Sequence, residues 1–151
     1  MSAEEHFHEH HQRLIDTFQE RRDEALANPE DNGQKLVDFL RAEILPHAQA
    51  EEEVLYAEID RRAGTELATG TMRFEHKALS DLMDQLDDSL QIPETLQRLL
   101  RKFSSLLLNH FEKEEAVLIP YLGEQMTEVE FLDILHEIHS EEEERKSPVG
   151  A

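Results

Sequence analysis

Two near copies of one short sequence place a histidine and a glutamate within otherwise apolar helical patterns. HAQAEEEVLYAEI starts at residue 47, and HFEKEEAVLIPYL starts at residue 110. In both copies a glutamate lies four residues after the histidine, and Val-Leu follows seven and eight residues after it. Residues four apart share one face of an α-helix, so His47 lies beside Glu51 and His110 beside Glu114. Imidazole and carboxylate groups without sulfur are typical ligands of iron, manganese and zinc.

Two further histidines, His11 and His76, stand at equivalent places in the two halves of the chain. The pattern His-x-x-Leu-x-Asp begins at each of them, and each precedes the next histidine of its half by a similar interval. Both lie on apolar helical stripes. His11 shares its face with Phe7, Leu14, Ile15 and Phe18, and His76 with Met72, Leu79 and Met83. The repeat predicts two related helical hairpins that face each other and bring both His-x-x-x-Glu units to one level.

The four histidines and two glutamates on these stripes predict a dinuclear metal site. A buried carboxylate costs several kcal/mol unless it is paired with a cation or binds a metal. Arg and Lys are not evident on these stripes. If both glutamates bridge two six-coordinate ions, about four of about twelve coordination positions remain for other ligands. The predicted ligands are His11, His47, Glu51, His76, His110 and Glu114.

Each of these residues, taken singly, has a simpler interpretation. A lone core histidine is more often a hydrogen-bonded structural residue than a metal ligand. One His-x-x-x-Glu pair is more often a contact on a helix surface. Two pairs in matching places, together with two further stripe histidines, favour the metal site over coincidence.

Three other residues are candidates for supporting positions around the site: Tyr121, Glu58 and His8. Tyr121 lies on the site face about two turns beyond Glu114. Its alternative interpretation is a core aromatic residue whose hydroxyl reaches a polar edge. Glu58 holds the equivalent place in the first half, and His8 is the best spare ligand because it lies one turn before His11.

The remaining histidines and several glutamates are predicted to lie outside the site. Glu115 is expected to point away from the His110 stripe, and Glu52 and Glu53 are expected to turn outward. His6 and His10 are predicted to face solvent, and His136 and His139 to lie on the surface of the last helix.

Helical periodicity and terminal signals predict five helices. A capping box at Ser2 opens the first helix, which reaches about Ala27, and NPEDNG at residues 28–33 predicts a loop. Pro46 is expected to kink the second helix just before His47. The later helices are predicted at about residues 34–63, 71–90, 93–122 and 127–144. A second capping box, at Thr127 to Glu130, opens the last of them, and its tail from residue 140 is predicted to fray. Four long helices with short connections predict an all-α fold, an up-down-up-down four-helix bundle over about residues 4–122 with a short fifth C-terminal helix.

Length and composition favour a single domain, residues 1–151, and exclude several functional classes. The formal charge of −20 argues against nucleic acid and anionic membrane surfaces as partners. The sequence has no cysteine, which excludes disulfides and thiolate metal sites. No stretch approaches the roughly 20 apolar residues of a membrane span, and the acidic N-terminus is unlike a secretory signal. We therefore expect a cytoplasmic protein; its protein partner is unknown.

The residues above resemble the hemerythrin-like HHE cation-binding domain family. The resemblance rests on His11, on His47-x-x-x-Glu51, on His76 and on His110-Phe-x-x-Glu114, with VLY and VLIPYL after the pairs. It covers about residues 6–122. It implies an up-down four-helix bundle that holds two iron ions as an oxo- or hydroxo-bridged, carboxylate-bridged diiron centre, with the same six residues as ligands. Manganese or zinc remain alternatives to iron.

The chain also departs from the pattern of oxygen-carrying hemerythrins. Those proteins have a second histidine four residues after the helix 3 ligand, where this chain has Ser80. Their helix 4 acid follows its histidine by five residues, whereas Glu114 follows His110 by four. The resemblance therefore implies binding or sensing of O2, NO or peroxide, or a role in iron homeostasis and stress defence, rather than dedicated oxygen transport.

Three alternatives to a diiron binding protein remain open. The first is a catalase-like or peroxidase-like diiron enzyme, in which Glu51 or Glu114 shifts to accept a proton. The second is a metal-free helical interaction module that docks a partner through the fifth helix. A ferritin-like iron store is the least favoured, because no paired Glu-x-x-His spacing is present.

Overall fold

The computed structural model describes residues 1–146, which form five helices and no strand. Helix α1 is Ala3–Ala27, α2 spans residues 29–63, α3 is Leu67–Asp88, α4 spans residues 93–125 and α5 is Glu128–Lys146. Helices α2 and α4 are continuous but not regular. The segments of α2 are Pro29–Phe39, Leu40–Ile44, Leu45–Ala50, Glu51–Tyr56 and Ala57–Ala63, and those of α4 are Pro93–Lys113, Glu114–Leu118 and Ile119–Gln125.

Three of these segments are π turns, in which the helix widens locally: Leu40–Ile44, Glu51–Tyr56 and Glu114–Leu118. Two of them end directly before a residue that precedes proline. Leu45 donates to the carbonyl of Leu40, ahead of Pro46, and Ile119 donates to that of Glu114, ahead of Pro120. Proline has no N–H to donate and its ring crowds the carbonyl four residues earlier, so a wider turn relieves both problems. The irregularity predicted at Pro46 takes this form.

Side-chain caps explain where several helices begin. Ser2 accepts a hydrogen bond from the backbone N–H of Glu5. Thr127 and Glu130 form a reciprocal capping box, in which each side chain accepts from the other's backbone N–H. These two predicted starts are confirmed. Gly64 ends α2 in the left-handed conformation, with φ of 72°.

The loop predicted at residues 28–33 is wrong, because only Asn28 separates α1 from α2. Its side chain accepts a hydrogen bond from the backbone N–H of Asp31, and Pro29 occupies the first turn of α2. Proline is well tolerated there, and Glu30 and Asp31 favour the positive end of the helix dipole. Residues typical of turns therefore act here as a helix start.

The ends of α3 and α5 also differ from the prediction. Helix α3 begins at Leu67 rather than Thr71, so that Gly70 lies inside it. The tail predicted to fray from residue 140 is helical through Lys146, because Glu142 is buried and Lys146 pairs with Glu43 at 2.7 Å. The rest of that tail, residues 147–151, lies outside the described residues.

Four helices contact one another in a ring, and the fifth packs against three of them. Helix α1 contacts α2 and α4, and α3 also contacts α2 and α4. Helix α5 packs against the central part of α2, against α1 and against the last turns of α4. Two apolar clusters fill the interior, one containing Phe18 and Phe103 and the other Phe7 and Phe131. In the described residues, no helix is long and apolar enough to cross a membrane.

Candidate metal centre

All six predicted ligands are buried and lie together between the two apolar clusters. One group of potential ligands contains His11, His47 and Glu51, and another contains Glu51, His76, His110 and Glu114. Within each group the ligand atoms lie within 4.8 Å of one another. Glu51 belongs to both groups, so the arrangement is that of two adjacent sites that share a carboxylate.

In each of the two glutamates, one carboxylate oxygen faces histidine nitrogen of the first half of the chain and the other faces histidine nitrogen of the second half. Glu51 Oε2 lies 3.2 Å from His47 Nε2 and 3.6 Å from His11 Nε2, while its Oε1 lies 3.4 Å from His76 Nε2. Glu114 Oε1 lies 3.3 Å from His11 Nε2, and its Oε2 lies 3.5 Å from His110 Nε2. Both carboxylates are therefore positioned to bridge two cations.

Five inward-facing atoms have no hydrogen-bond partner: Nε2 of His11 and His47, both carboxylate oxygens of Glu51, and Oε1 of Glu114. Buried polar atoms are almost always hydrogen-bonded, and an unpaired buried carboxylate is costly. No Arg or Lys among the described residues forms an ion pair with Glu51 or Glu114. Metal cations at these two positions would satisfy the free atoms, so the residues present fit a dinuclear metal centre.

The outward-facing Nδ1 atom of every ligand histidine donates to a second carboxylate. The pairs are His11–Glu115 at 3.2 Å, His76–Glu52 at 3.3 Å, His110–Glu75 at 2.9 Å and His47–Glu142. Each such bond fixes the imidazole tautomer and directs Nε2 inward. In every pair the carboxylate comes from a different helix than the histidine.

These outer carboxylates correct two expectations from the sequence. Glu115 and Glu52 were predicted to point away, yet each reaches a histidine on the adjacent helix. Glu142 was assigned to the fraying tail, and Glu75 was not singled out. The Glu-Glu pair present in both copies was the sequence signal for these outer carboxylates. In each pair the first glutamate faces inward, and the second accepts a hydrogen bond from a histidine of a neighbouring helix.

Tyr56 is a further residue of the site that sequence reasoning missed. It is completely buried, and its hydroxyl donates a hydrogen bond of 2.5 Å to Glu114 Oε2. The same hydroxyl lies 3.3 Å from Nε2 of both His76 and His110. Burial and the nearby carboxylates of Glu114 and Glu51 raise the pKa of Tyr56 well above its usual value, so the phenol stays protonated.

Opposing effects set the protonation of the inner residues in the metal-free protein. Burial alone would lower the pKa of His47, but Glu51 and Glu142 outweigh it and raise that pKa to about 9. The pKa of His76 is likewise raised to about 9 against burial, by Glu51 and Glu52. Burial alone would raise the pKa of Glu51, yet the histidines around it hold it well below its usual value. Without metal, His47 and His76 thus carry buried imidazolium charges around the buried carboxylate of Glu51.

Aromatic rings hold His11 in place from both apolar clusters. The ring of Phe111 stacks on the imidazole with a centroid distance of 3.9 Å and an interplanar angle of 4°. Phe7 meets the same imidazole edge-on at 4.3 Å. His11 is the one ligand supplied by α1, and this packing fixes its ring plane as its bond to Glu115 fixes its tautomer.

The three candidates for supporting positions lie elsewhere. Glu58 accepts hydrogen bonds from Arg61 and Arg62, which hold its pKa below the usual value against the effect of burial. Tyr121 packs at the edge of the second apolar cluster. The exposed His8 bonds to Glu115 rather than facing the centre. Of the three, only His8 is linked to a ligand histidine, through Glu115.

Comparison with known proteins adds one finding. The family model described as hemerythrin HHE cation binding domain matches residues 2–122. Searches of curated proteins and of solved structures found no match. The matched range contains all six inner residues and ends before α5 begins.

Proposed function

The chain belongs to the hemerythrin HHE cation-binding domain family, and from this premise we propose that it is a non-heme diiron protein. In this proposal α1 to α4 form the up-down-up-down bundle of that family. The protein binds a small ligand, O2, NO or peroxide, at its dinuclear centre, in a sensing, iron-homeostasis or stress-defence role.

Five buried ligand atoms without hydrogen-bond partners are the observation that carries this proposal. In a metal-free helical module these buried imidazoles and carboxylates would be balanced only by one another, without hydrogen bonds of good geometry, at a cost of several kcal/mol. Histidine nitrogen and carboxylate oxygen are ligands that suit iron, and manganese or zinc as alternatives. The donor set and its burial therefore support a metal-binding protein over an interaction module.

The roles of the residues follow from their distances. His11 and His47 would hold one ion, His76 and His110 the other, and Glu51 and Glu114 both. Two iron ions supply Lewis-acid and one-electron redox chemistry to a small ligand at the positions that these side chains leave open. The outer carboxylates keep the imidazoles aimed inward, and Phe7 and Phe111 exclude water around His11.

The test of this proposal is metal analysis after aerobic purification and reconstitution with Fe²⁺. We expect about two irons per chain and a near-ultraviolet absorption band that changes on reduction and on addition of O2, NO or peroxide. His110→Ala should lose iron, whereas His136→Ala, an exposed histidine of α5, should retain it. Protein that binds no iron after reconstitution would contradict the proposal.

A second candidate function, decomposition of peroxide, is favoured by the hydroxyl of Tyr56. This phenol lies against Glu114 and two of the predicted ligand histidines, so it would lie beside a small molecule bound at the centre. It stays protonated at neutral pH, so its hydroxyl could turn from Glu114 to donate a hydrogen bond to such a ligand. Oxygen evolution from peroxide that is lost in folded His110→Ala would distinguish an enzyme from a protein that only binds its ligand.

A further inference from the structure

Three side chains converge just outside the centre, in the groove between α1 and α5. His10 Nε2 lies 3.3 Å from Glu142 Oε1, and His139 Nδ1 lies 3.9 Å from Glu142 Oε2. The rings of His10 and His139 are 5.0 Å apart. One ligand atom from each of these residues lies within 4.8 Å of the others.

The internal repeat explains why this cluster exists. In the second half of the chain, Glu75 precedes His76 and bonds to His110. The equivalent residue before His11 is His10, which cannot supply a carboxylate. Its ring lies 5.0 Å from that of His47, and α5 supplies the missing acid in the form of Glu142. One carboxylate thus faces His47 on its inner side and two additional imidazoles on its outer side.

The distances in this cluster fit a transition-metal ion. Adjacent ligands of a tetrahedral ion with bonds of about 2.0–2.2 Å lie about 3.3–3.6 Å apart. His10 lies 3.3 Å from Glu142 Oε1 and His139 lies 3.9 Å from Glu142 Oε2, which is close to that range if the carboxylate faces the ion with both oxygens. Two imidazoles and one carboxylate with an open fourth position are a common ligand set for Zn²⁺ and related divalent ions.

Solvent reaches the cluster, in contrast to the central site. The side chain of His139 is 51% exposed and that of His10 is 17% exposed, while Glu142 is almost completely buried. A cleft of about 390 Å³ opens beside His139, and His6 and His136 also line it. The cleft reaches the cluster at His139, and a smaller space of about 10 Å³ lies beside His10, His47 and His139. An ion would therefore approach from the exposed side of His139.

We propose that His10, His139 and Glu142 form an auxiliary site for one divalent transition-metal ion, separate from the central pair. His139 and Glu142 lie beyond residues 2–122, so the matched family domain does not include this site. Glu142 connects the two sites, because its Oε1 also accepts a hydrogen bond from His47. In this arrangement, the side chain of Glu142 alone separates the auxiliary ion from the dinuclear centre.

The test is titration of the iron-loaded full chain with Zn²⁺ by calorimetry, with Co²⁺ absorption as a second readout of nitrogen and oxygen ligation. The wild-type protein should bind one equivalent more than His10→Ala or His139→Ala, or bind it at least about tenfold more tightly. His136→Ala is the matched control, since it removes an exposed histidine of the same cleft, and its affinity should stay within about twofold of wild type. Glu142 is left intact because it also holds His47.

Two outcomes would overturn the auxiliary site. One is equal Zn²⁺ stoichiometry and affinity in wild type, His10→Ala and His139→Ala. The other is a loss in His136→Ala as large as in His139→Ala, which would indicate diffuse binding to a histidine-rich surface. Iron content is measured in all four proteins. Because the result is a difference among variants that all retain the six central ligands, it can be read even if the central site holds no iron.

Discussion

The hydroxyl of Tyr56 on α2 donates a 2.5 Å hydrogen bond to Glu114 on α4, beside the imidazoles of His76 and His110. Tyr56 follows Glu51 by five residues, at the end of a π turn that starts at that glutamate. In a π turn the hydrogen bonds connect residues five apart, so Tyr56 comes to lie above Glu51 on the same face. The widened turn thus delivers a ligand glutamate and a phenol from one helix to one site.

Removal of this hydroxyl tests whether it acts in chemistry. Tyr56→Phe keeps the ring and should keep the fold, but it removes the hydrogen-bond donor next to Glu114. If the protein decomposes peroxide, we expect the rate of oxygen evolution to fall about 10²-fold, with iron content retained. Tyr121→Phe is the matched control, because Tyr121 lies at the edge of the apolar cluster, and its rate should not change. An equal loss in both variants would argue against a role for Tyr56.

Removal of metal should destabilise the fold. Chelation leaves the buried carboxylate of Glu51 balanced only by the neighbouring imidazoles, with no hydrogen bond of good geometry to either oxygen. We expect the free energy of unfolding to fall by several kcal/mol, measured as a lower thermal midpoint that recovers when Fe²⁺ is added back. An unchanged midpoint would instead support the metal-free interaction module.

The metal-free protein should lose stability as pH rises from neutral to alkaline. The pKa values of His47 and His76 are about 9 in the folded chain, above the ordinary value of 6.5. Groups whose pKa is raised in the folded state stabilise the folded protein fully below pH 6.5. That stabilisation is lost as the pH rises through about 9. The thermal midpoint of the metal-free protein should therefore fall over this interval.

The metal-loaded protein provides the comparison for this pH series. Metal binding requires neutral imidazoles, so protons compete with the ions and affinity increases with pH. The difference between the midpoints of the loaded and metal-free proteins should widen from pH 6.5 to 9. Parallel curves for the two forms would show that these histidines do not exchange protons for metal.

Removal of Glu142 should lower the metal affinity of the central site, although Glu142 is not one of the six predicted ligands. This carboxylate accepts the Nδ1–H of His47, and removal of such a partner typically lowers metal affinity about 10- to 100-fold. We expect this decrease for Glu142→Ala in competition with a chelator, and no decrease for Glu144→Ala, which removes an exposed acid from the same helix. Equal affinity in the two variants would contradict a positioning role for α5.

The sequence predicted the six inner residues because they lie on stripes with ordinary α-helical spacing. His47 and Glu51, like His110 and Glu114, are four residues apart in stretches of α2 and α4 that run up to the first residue of a widened turn. Within the widened turn of α4 the same spacing fails. Counted from His110, α-helical spacing places Val117 on the buried stripe, but Val117 is exposed, whereas Leu118 and Ile119 are buried.

Other features depended on which helices pack together. The sequence by itself determined the properties that are local or periodic. These are the repeat, the positions of the buried imidazoles and carboxylates, the helix caps at Ser2 and Thr127, and the family. The carboxylates that hold the histidines come from neighbouring helices, and one comes from α5, far along the chain. Tertiary structure alone decided those pairs, the place of Tyr56 and the auxiliary cluster, because helical periodicity defines a face but neither its partner nor a local change in pitch.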